Sequence, residues 1–450
     1  MPSFPLVMHS WLSELIIAII YNITNFYGLA VLFAAVNLGI LFAIYTYFKT
    51  NLGKKYLDDS KYWRLTFLVA SITVFFGFFY VRPQVFSWCF WGLFVLVISK
   101  EKLYSRYKFF LPPFFLLWTN LHGDFALPIF LLSFVNLCWI IAKRRLNYVD
   151  LSILLLSLLV TLVNPFGISL WREVFATYFN PYIRGNVSEW QPIFGYFDFS
   201  LLLMTSFSVF TLWKYRKLFP IHLVLIYVFL FIQAVLSIKN IPLWLIYSFI
   251  FIYPSINFLY KDLRDKISVE RFKKAGVFVF ALSVVLFISQ VSVAFVGFFY
   301  SPYITYPHLA LGYLENNPFS GQLFSDFDMG GYLIWKFPQK KVFVDGRMDT
   351  WNWNANLPDE SNNAFRDYLD ILSGKLDFNK AADKYNITTV LWPKYGYIDK
   401  NSFEYKTNKQ TCELYYIGCM AIYRPLFDDR LKNDGWHEVY SDKVATVYKR

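Results

Sequence analysis

The feature that most constrains this chain is the spacing of its lysines and arginines. Up to about residue 300, apolar runs are joined by short loops, and basic loops alternate with nearly neutral ones. The basic segments are 49–64 (Lys49, Lys54, Lys55, Lys61, Arg64), 100–108 (Lys100, Lys102, Arg106, Lys108), 143–145 (Lys143, Arg144, Arg145), 214–217 (Lys214, Arg216, Lys217) and 261–274 (Lys261, Arg264, Lys266, Arg271, Lys273, Lys274). The intervening loops carry only Arg82, Arg172, Arg184 and Lys239. Positive loops stay in the cytoplasm. One orientation therefore fits the whole series, and it puts every other loop, with the polar last third, outside.

This pattern, with 56% hydrophobic and 22% aromatic residues, predicts an α-helical polytopic protein of the plasma membrane. About ten transmembrane helices are expected in residues 1–300, at 26–48, 65–80, 86–99, 109–120, 125–142, 149–163, 200–213, 218–237, 241–260 and 275–298. An extracytoplasmic α/β domain is expected over 301–450. The net charge of +12 does not point to nucleic acid, because the excess sits in the loops that set topology while the last third is near balance.

Ser10–Tyr21 reads as an amphipathic helix on the outer surface with Trp11 in lipid. The loop 164–199 reads as a structured outer segment with a short helix near 168–179. In the last third, Gly321–Ser325, Lys341–Asp345 and Thr388–Trp392 read as strands, and Trp436–Ser441 with Val444–Tyr448 as a terminal hairpin. Tyr306–Glu315, Phe365–Leu372 and Asn379–Tyr385 read as helices. Cys89 and Cys138 fall in apolar runs as packing residues. Cys412 and Cys419 lie where a disulfide is an option. No His or Cys spacing suits zinc. Residues 1–10 lack the positive start of a signal peptide, so the N-terminus is expected outside with nothing to carry it there.

The unusual polar residues gather at the outer helix ends. A mid-membrane charge costs roughly 2.5–3.5 kcal/mol on insertion scales, so a one-sided collection reads as a site at the outer boundary. Arg82, before Pro83, suits a phosphate, since its fork binds oxygens bidentately; the alternative is a snorkelling anchor. Asn120-Leu121-His122-Gly123-Asp124 places an imidazole and a carboxylate two residues apart in a tight turn. They form an acid–base or phosphate-binding pair, or Asp124 caps the next helix. Arg184, Glu189 and Trp190 offer a base, an acid and an indole for a sugar or lipid; a surface ion pair is the plainer reading. Lys239 binds a lipid phosphate or snorkels. Glu14 is a further acid, solvated on the first helix. Asp326, Asp328, Asp345, Arg347 and Asp349 flank glycines near strand ends, where carboxylates line sites or make turns.

Taken in order, W-L-S-E, R-P-Q, N-L-H-G, N-P-F-G, E-W-Q-P, G-G-Y-L-I-W and V-F-V-D-G-R resemble a group of bacterial multispanning proteins that looks like a branch of the GT-C membrane glycosyltransferases. The resemblance implies transfer of a sugar from a polyprenyl-phosphate carrier, at the outer face of the bilayer, to a glycan, lipid or protein acceptor, with inversion. It implies that Arg82 and Lys239 bind carrier phosphate. His122 and Asp124 would line the reacting centre, and Glu189, Trp190 and Arg184 would lie near acceptor or sugar. The group begins with a further helix and an outer loop bearing an acidic D-x-W-W-H motif, and often has Gly where this chain has Asp124. The expectation is that Met1 starts at the end of that loop, so that Asp124 or Glu14 serves as base or the chain is an inactive scaffold. No cofactor is required by these residues, and a divalent metal stays open. The same residues would also suit an oligosaccharide ligase or a transporter.

Overall fold

The computed structural model describes residues 7–50, 59–78, 81–193, 199–346, 364–394, 405–407, 409–410, 412 and 419–450. The chain forms two compact units. One contains Met8–Val174 and Pro192–Val293; the other contains Phe175–Gln191 and Ala294–Arg450.

In the first unit each of the ten apolar runs overlaps a helix: Trp11–Thr50, Lys61–Phe76, Gln84–Ile98, Leu111–Leu121, Ala126–Lys143, Tyr148–Leu159, Phe199–Tyr215, Ile221–Leu236, Ile241–Leu263 and Val269–Thr305, the last continuing past the unit boundary. Four described stretches are long and apolar enough to cross a membrane: Trp11–Phe42, Gly123–Lys143, Ile238–Leu263 and Val269–Val293. They are not equivalent. Ile241–Leu263 is buried on nearly every face, with Trp244, Tyr247 and Tyr253 enclosed. The first and last helices instead expose Ile23, Tyr27, Val31 and Val285, as lipid-facing helices do.

A low-dielectric surround makes an unsatisfied polar tip costly, and two of the enclosed aromatics bond to backbone carbonyls. Trp91 Nε1–H donates to the Leu243 carbonyl at 2.8 Å, and the Tyr247 hydroxyl donates to the Leu223 carbonyl at 3.1 Å. Ser71 and Ser248 bond back to the carbonyls of Phe67 and Trp244.

The basic loops are tied together at one end. Lys108 pairs with Asp150, Lys214 with Asp262 and Lys273 with Asp59, each at 2.7 Å, and Lys143 pairs with Glu101. These pairs join segments that the charge pattern placed on one side. The start of the first helix is a helix of its own, near the bounds expected for Ser10–Tyr21: Trp11–Thr50 is two helices joined at a kink, with Asn25 at φ 55°, ψ −158°. Trp11 is not in lipid alone: its Nε1–H donates to Asn120 Oδ1 at 3.0 Å, and Ser13 donates to the Leu121 carbonyl at 2.6 Å.

The second unit holds a four-stranded sheet of β1 (Gln322–Ser325), β2 (Ile387–Pro393), β3 (His437–Ser441) and β4 (Ala445–Lys449), in the order β1-β2-β4-β3. β1 and β2 are parallel; β4 runs antiparallel to both of its neighbours. Alternate side chains feed two cores. Phe324, Val390, Trp392 and Tyr448 pack with the helices Ala364–Ser373, Phe378–Tyr385 and Cys419–Asn433. Leu323, Leu391, Ala445 and Val447 pack with His308–Asn316 and Gly330–Lys336. Val187, from the 175–191 stretch, rests on the first of these cores.

Lys341–Asp345 is not a strand. Phe343, Val344 and Asp345 are buried, but the segment pairs with none of the four strands. The segment is set by close approach to Gly330, where an added Cβ would lie 2.5 Å from the Val344 carbonyl. A disulfide joins Cys412 and Cys419, and Cys89 and Cys138 are free. Arg347 and Asp349 lie outside the described residues.

Candidate functional site

The site is built on the turn between Leu111–Leu121 and Ala126–Lys143. Asn120, in the last turn of the first helix, bonds from its amide to the carbonyls of Leu116 (2.9 Å) and Val163 (3.0 Å). It thereby anchors the turn to the end of the Tyr148–Leu162 segment. His122 follows in extended conformation (φ −165°, ψ 150°) and caps the short helix Gly123–Phe125 by accepting from the Asp124 amide at 3.4 Å. The capping role the sequence offers to Asp124 is thus filled by His122, and the Asp124 carboxylate is left for other work.

His122 is only 5% exposed. Its Nδ1 lies 3.0 Å from Ser87 Oγ and 3.2 Å from Asp124 Oδ2. Trp118 Nε1–H donates to Ser87 Oγ at 2.9 Å. The Ser87 oxygen can accept from Trp118 and still either donate to Nδ1 or accept from it, according to the tautomer. With its hydrogen on Nδ1 the ring faces the Asp124 carboxylate; without it, Nδ1 accepts from Ser87 and from the Asp124 amide.

His9 completes the cluster. Its ring meets that of His122 edge-on, with centroids 5.5 Å apart. Desolvation holds the His9 imidazole well below its usual range, helped by His122 and Lys239 and opposed by Asp124. Lys239, half-buried in the turn Ile238–Asn240, acts electrostatically on both Asp124 and His9. Gly123 lets His9 sit over the turn: an added Cβ would lie 3.4 Å from His9 Cβ and 3.3 Å from Val174 Cγ2.

Among the residues singled out from sequence, the structure thus brings together His122, Asp124 and Lys239. Arg82 is exposed in the turn that starts Gln84–Ile98, the helix that carries Ser87. Glu14 is exposed and accepts from Ser10 Oγ at 2.7 Å, so it serves the first turn of its helix. Arg184, Glu189 and Trp190 belong to the other unit. There the Arg184 guanidinium lies 4.8 Å over the Tyr178 ring. Trp190 is only 6% exposed, beside Tyr178; its indole is packed inward and presents little face to a sugar.

The acids of the second unit are also held inward. Buried Asp326 lies 2.8 Å from Arg424 Nε, accepts from the Tyr368 hydroxyl at 2.8 Å and caps the Asp328 amide at 2.9 Å. Asp328 meets Arg424 Nη1 at 2.8 Å. Burial raises the Asp326 carboxyl above its usual range against the pull of Arg424.

His9, Ser87 and Trp118 were not singled out from sequence. His9 had a signal, as one of five histidines and a neighbour of the Trp11-Leu12-Ser13-Glu14 motif. Ser87 and Trp118 are ordinary inside apolar runs. Among the described residues, no group of three His, Cys, Asp or Glu side chains could hold a metal ion. No protein-family model matches the chain, and no curated protein is significantly similar to it.

Proposed function

We propose that the His122–Asp124 pair is the reacting centre of a multispanning membrane transferase. In this reading about ten helices cross the plasma membrane, the basic loops face the cytoplasm, and the second unit lies outside. The enzyme moves a sugar from a polyprenyl-phosphate carrier to an extracytoplasmic acceptor. The observation that carries it is a carboxylate and an imidazole in proton-transfer contact beside a lysine, at the helix ends opposite the paired basic loops. The resemblance of the ordered motifs supplies the donor class.

Asp124 takes the proton of an acceptor hydroxyl as its oxygen bonds to the anomeric carbon. The bond from that carbon to the phosphate oxygen breaks, and its electron pair stays with the carrier phosphate. Lys239 and Arg82 take up that charge. His122 orients Asp124 and accepts the proton onward through Nδ1. The absence of charge through the middle of most apolar runs favours chemistry at the outer ends over transport across the bilayer.

The test is transfer from a radiolabelled polyprenyl-phosphate sugar in proteoliposomes, beside native mass spectrometry of the solubilised protein and Arg82→Ala. A bound carrier that is lost in the variant supports the donor site. No carrier on the wild-type protein and no transfer would remove this reading.

A further inference from the structure

The second unit keeps its large hydrophobic side chains inside, with few exceptions. Among the described residues of 306–450, those well exposed are Tyr306 (41%), Leu309 (70%), Trp335 (52%) and Val439 (39%). Three of these four share one patch. Tyr306 stacks on Tyr332 with ring centroids 4.9 Å apart, Tyr332 meets Trp335 edge-on at 6.3 Å, and Leu309 follows Tyr306 by three residues, in the first turn of His308–Asn316. The Lys336 ammonium sits 3.7 Å from the centre of the Trp335 ring. An apolar body with Tyr and Trp, edged by a lysine, is the composition of a membrane–water boundary.

Chain length puts this patch at that boundary. No Asp, Glu, Lys or Arg occurs between Lys274 and Glu315. The helix Val269–Thr305 carries the uncharged stretch as far as Thr305. From Ala275 to Thr305 it covers about 46 Å at about 1.5 Å per residue, and about 44 Å along the normal at a common tilt of about 20°. A bilayer with its headgroups is about 40–45 Å thick. With Lys273 and Lys274 among the inner headgroups, Tyr306 emerges at the outer ones. The other route out of the first unit repeats the pattern: Phe175 and Phe179, one turn apart on Ile168–Phe179, are exposed and stack on each other.

We propose that Tyr306, Leu309 and Trp335 form an interfacial anchor through which the second unit rests on the outer leaflet, with Lys336 toward anionic headgroups. This rests on the membrane placement and not on the transferase chemistry. The anchor holds the outer unit at the level of the bilayer surface, where a lipid-linked substrate presents its headgroup.

The test is site-directed spin labelling of the full chain in phosphatidylethanolamine–phosphatidylglycerol nanodiscs. Leu309→Cys and Trp335→Cys are labelled in a Cys89→Ala, Cys138→Ala background, beside Val285→Cys as a bilayer reference and Val439→Cys as an aqueous one. The expected result is an oxygen-to-nickel collision ratio at 309 and 335 several-fold above that at 439, and below that at 285. Labels at 309 and 335 that match 439, while 285 reads deep, would overturn the anchor and leave the spanning helices standing. Dipolar broadening between protomers at 335 would overturn it in favour of a second copy on this face. Leu309→Cys keeps the test decisive if loss of the Trp335 ring disturbs Tyr332.

Discussion

Asp124 and Asp326 are each within hydrogen-bond distance of a basic side chain, and they are built in opposite ways. Asp326 is enclosed, and its partner Arg424 keeps its charge at any accessible pH. A tyrosine hydroxyl and a backbone amide take up its remaining lone pairs. Asp124 is part-exposed, and its partner is the His122 imidazole, a side chain that can both accept and release a proton. The groups around it come from separate turns: His9 before the first helix, Ser87 in Gln84–Ile98 and Lys239 before Ile241–Leu263. The first arrangement can only hold a structure. The second can gain and lose a proton, and it leaves an oxygen for a visitor.

Two substitutions should separate these roles. Asp124→Asn removes the proposed base while keeping shape. Transfer should fall about 10²–10⁴-fold, the usual worth of a positioned acid–base group, with little change in the heat-induced aggregation temperature. Transfer at the wild-type rate would break the contrast at once. Asp326→Ala should do the reverse. It leaves Arg424 buried without its main counter-charge, a loss of about 3–5 kcal/mol. Limited proteolysis should then cut the second unit early, while transfer per folded molecule is kept. Equal protease resistance would show that the Arg424 pair contributes little.

How far each arrangement could be read from the sequence follows from how local it is. The apolar runs are local, and each one overlaps a helix. The β2 strand and the terminal hairpin were legible because alternation and turn residues are local too. Lys341–Asp345 misled because Phe343 and Val344 are buried in the core beside Phe324 without joining a ladder. The helix Cys419–Asn433 was hidden by Pro425, and with it went Arg424, the partner that gives Asp326 its structural role. In the candidate site the His122-Gly123-Asp124 turn was visible as a motif. His9 and Ser87 were not, since they reach it only through helix packing across more than thirty positions.

The acid side of the pH profile sharpens the comparison with a smaller effect. The folded environment lowers the His9 imidazole below its unfolded value near 6.5. The unfolded chain therefore binds more protons in the interval between the two values, and stability rises with pH there. The neutral His9 contribution is complete above about pH 6.5 and shrinks as pH falls toward the folded value. The first unit should lose thermal resistance between about pH 6.5 and 5, and His9→Gln should flatten that slope. An unchanged slope in His9→Gln would assign the acid loss to other groups.

The smallest expected effect tests whether His9 matters to the pair or only lies near it. Gly123→Ala places a methyl 3.3–3.4 Å from Val174 Cγ2 and His9 Cβ, tight enough that one neighbour must give by a few tenths of an ångström. The backbone itself does not object, since Gly123 is not among the residues with positive φ. Gly123 belongs to the first unit, so stability of the second unit should not move. If His9 yields, its edge-on contact with His122 is lost, and transfer should drop a few-fold with the acid limb shifted as in His9→Gln. If Val174 yields instead, rate and pH profile stay as in the wild type. In that case Gly123→Val, which adds two more methyl groups to the same space, should displace His9 and produce the shift. A normal profile in both variants would show that His9 and His122 are neighbours without consequence.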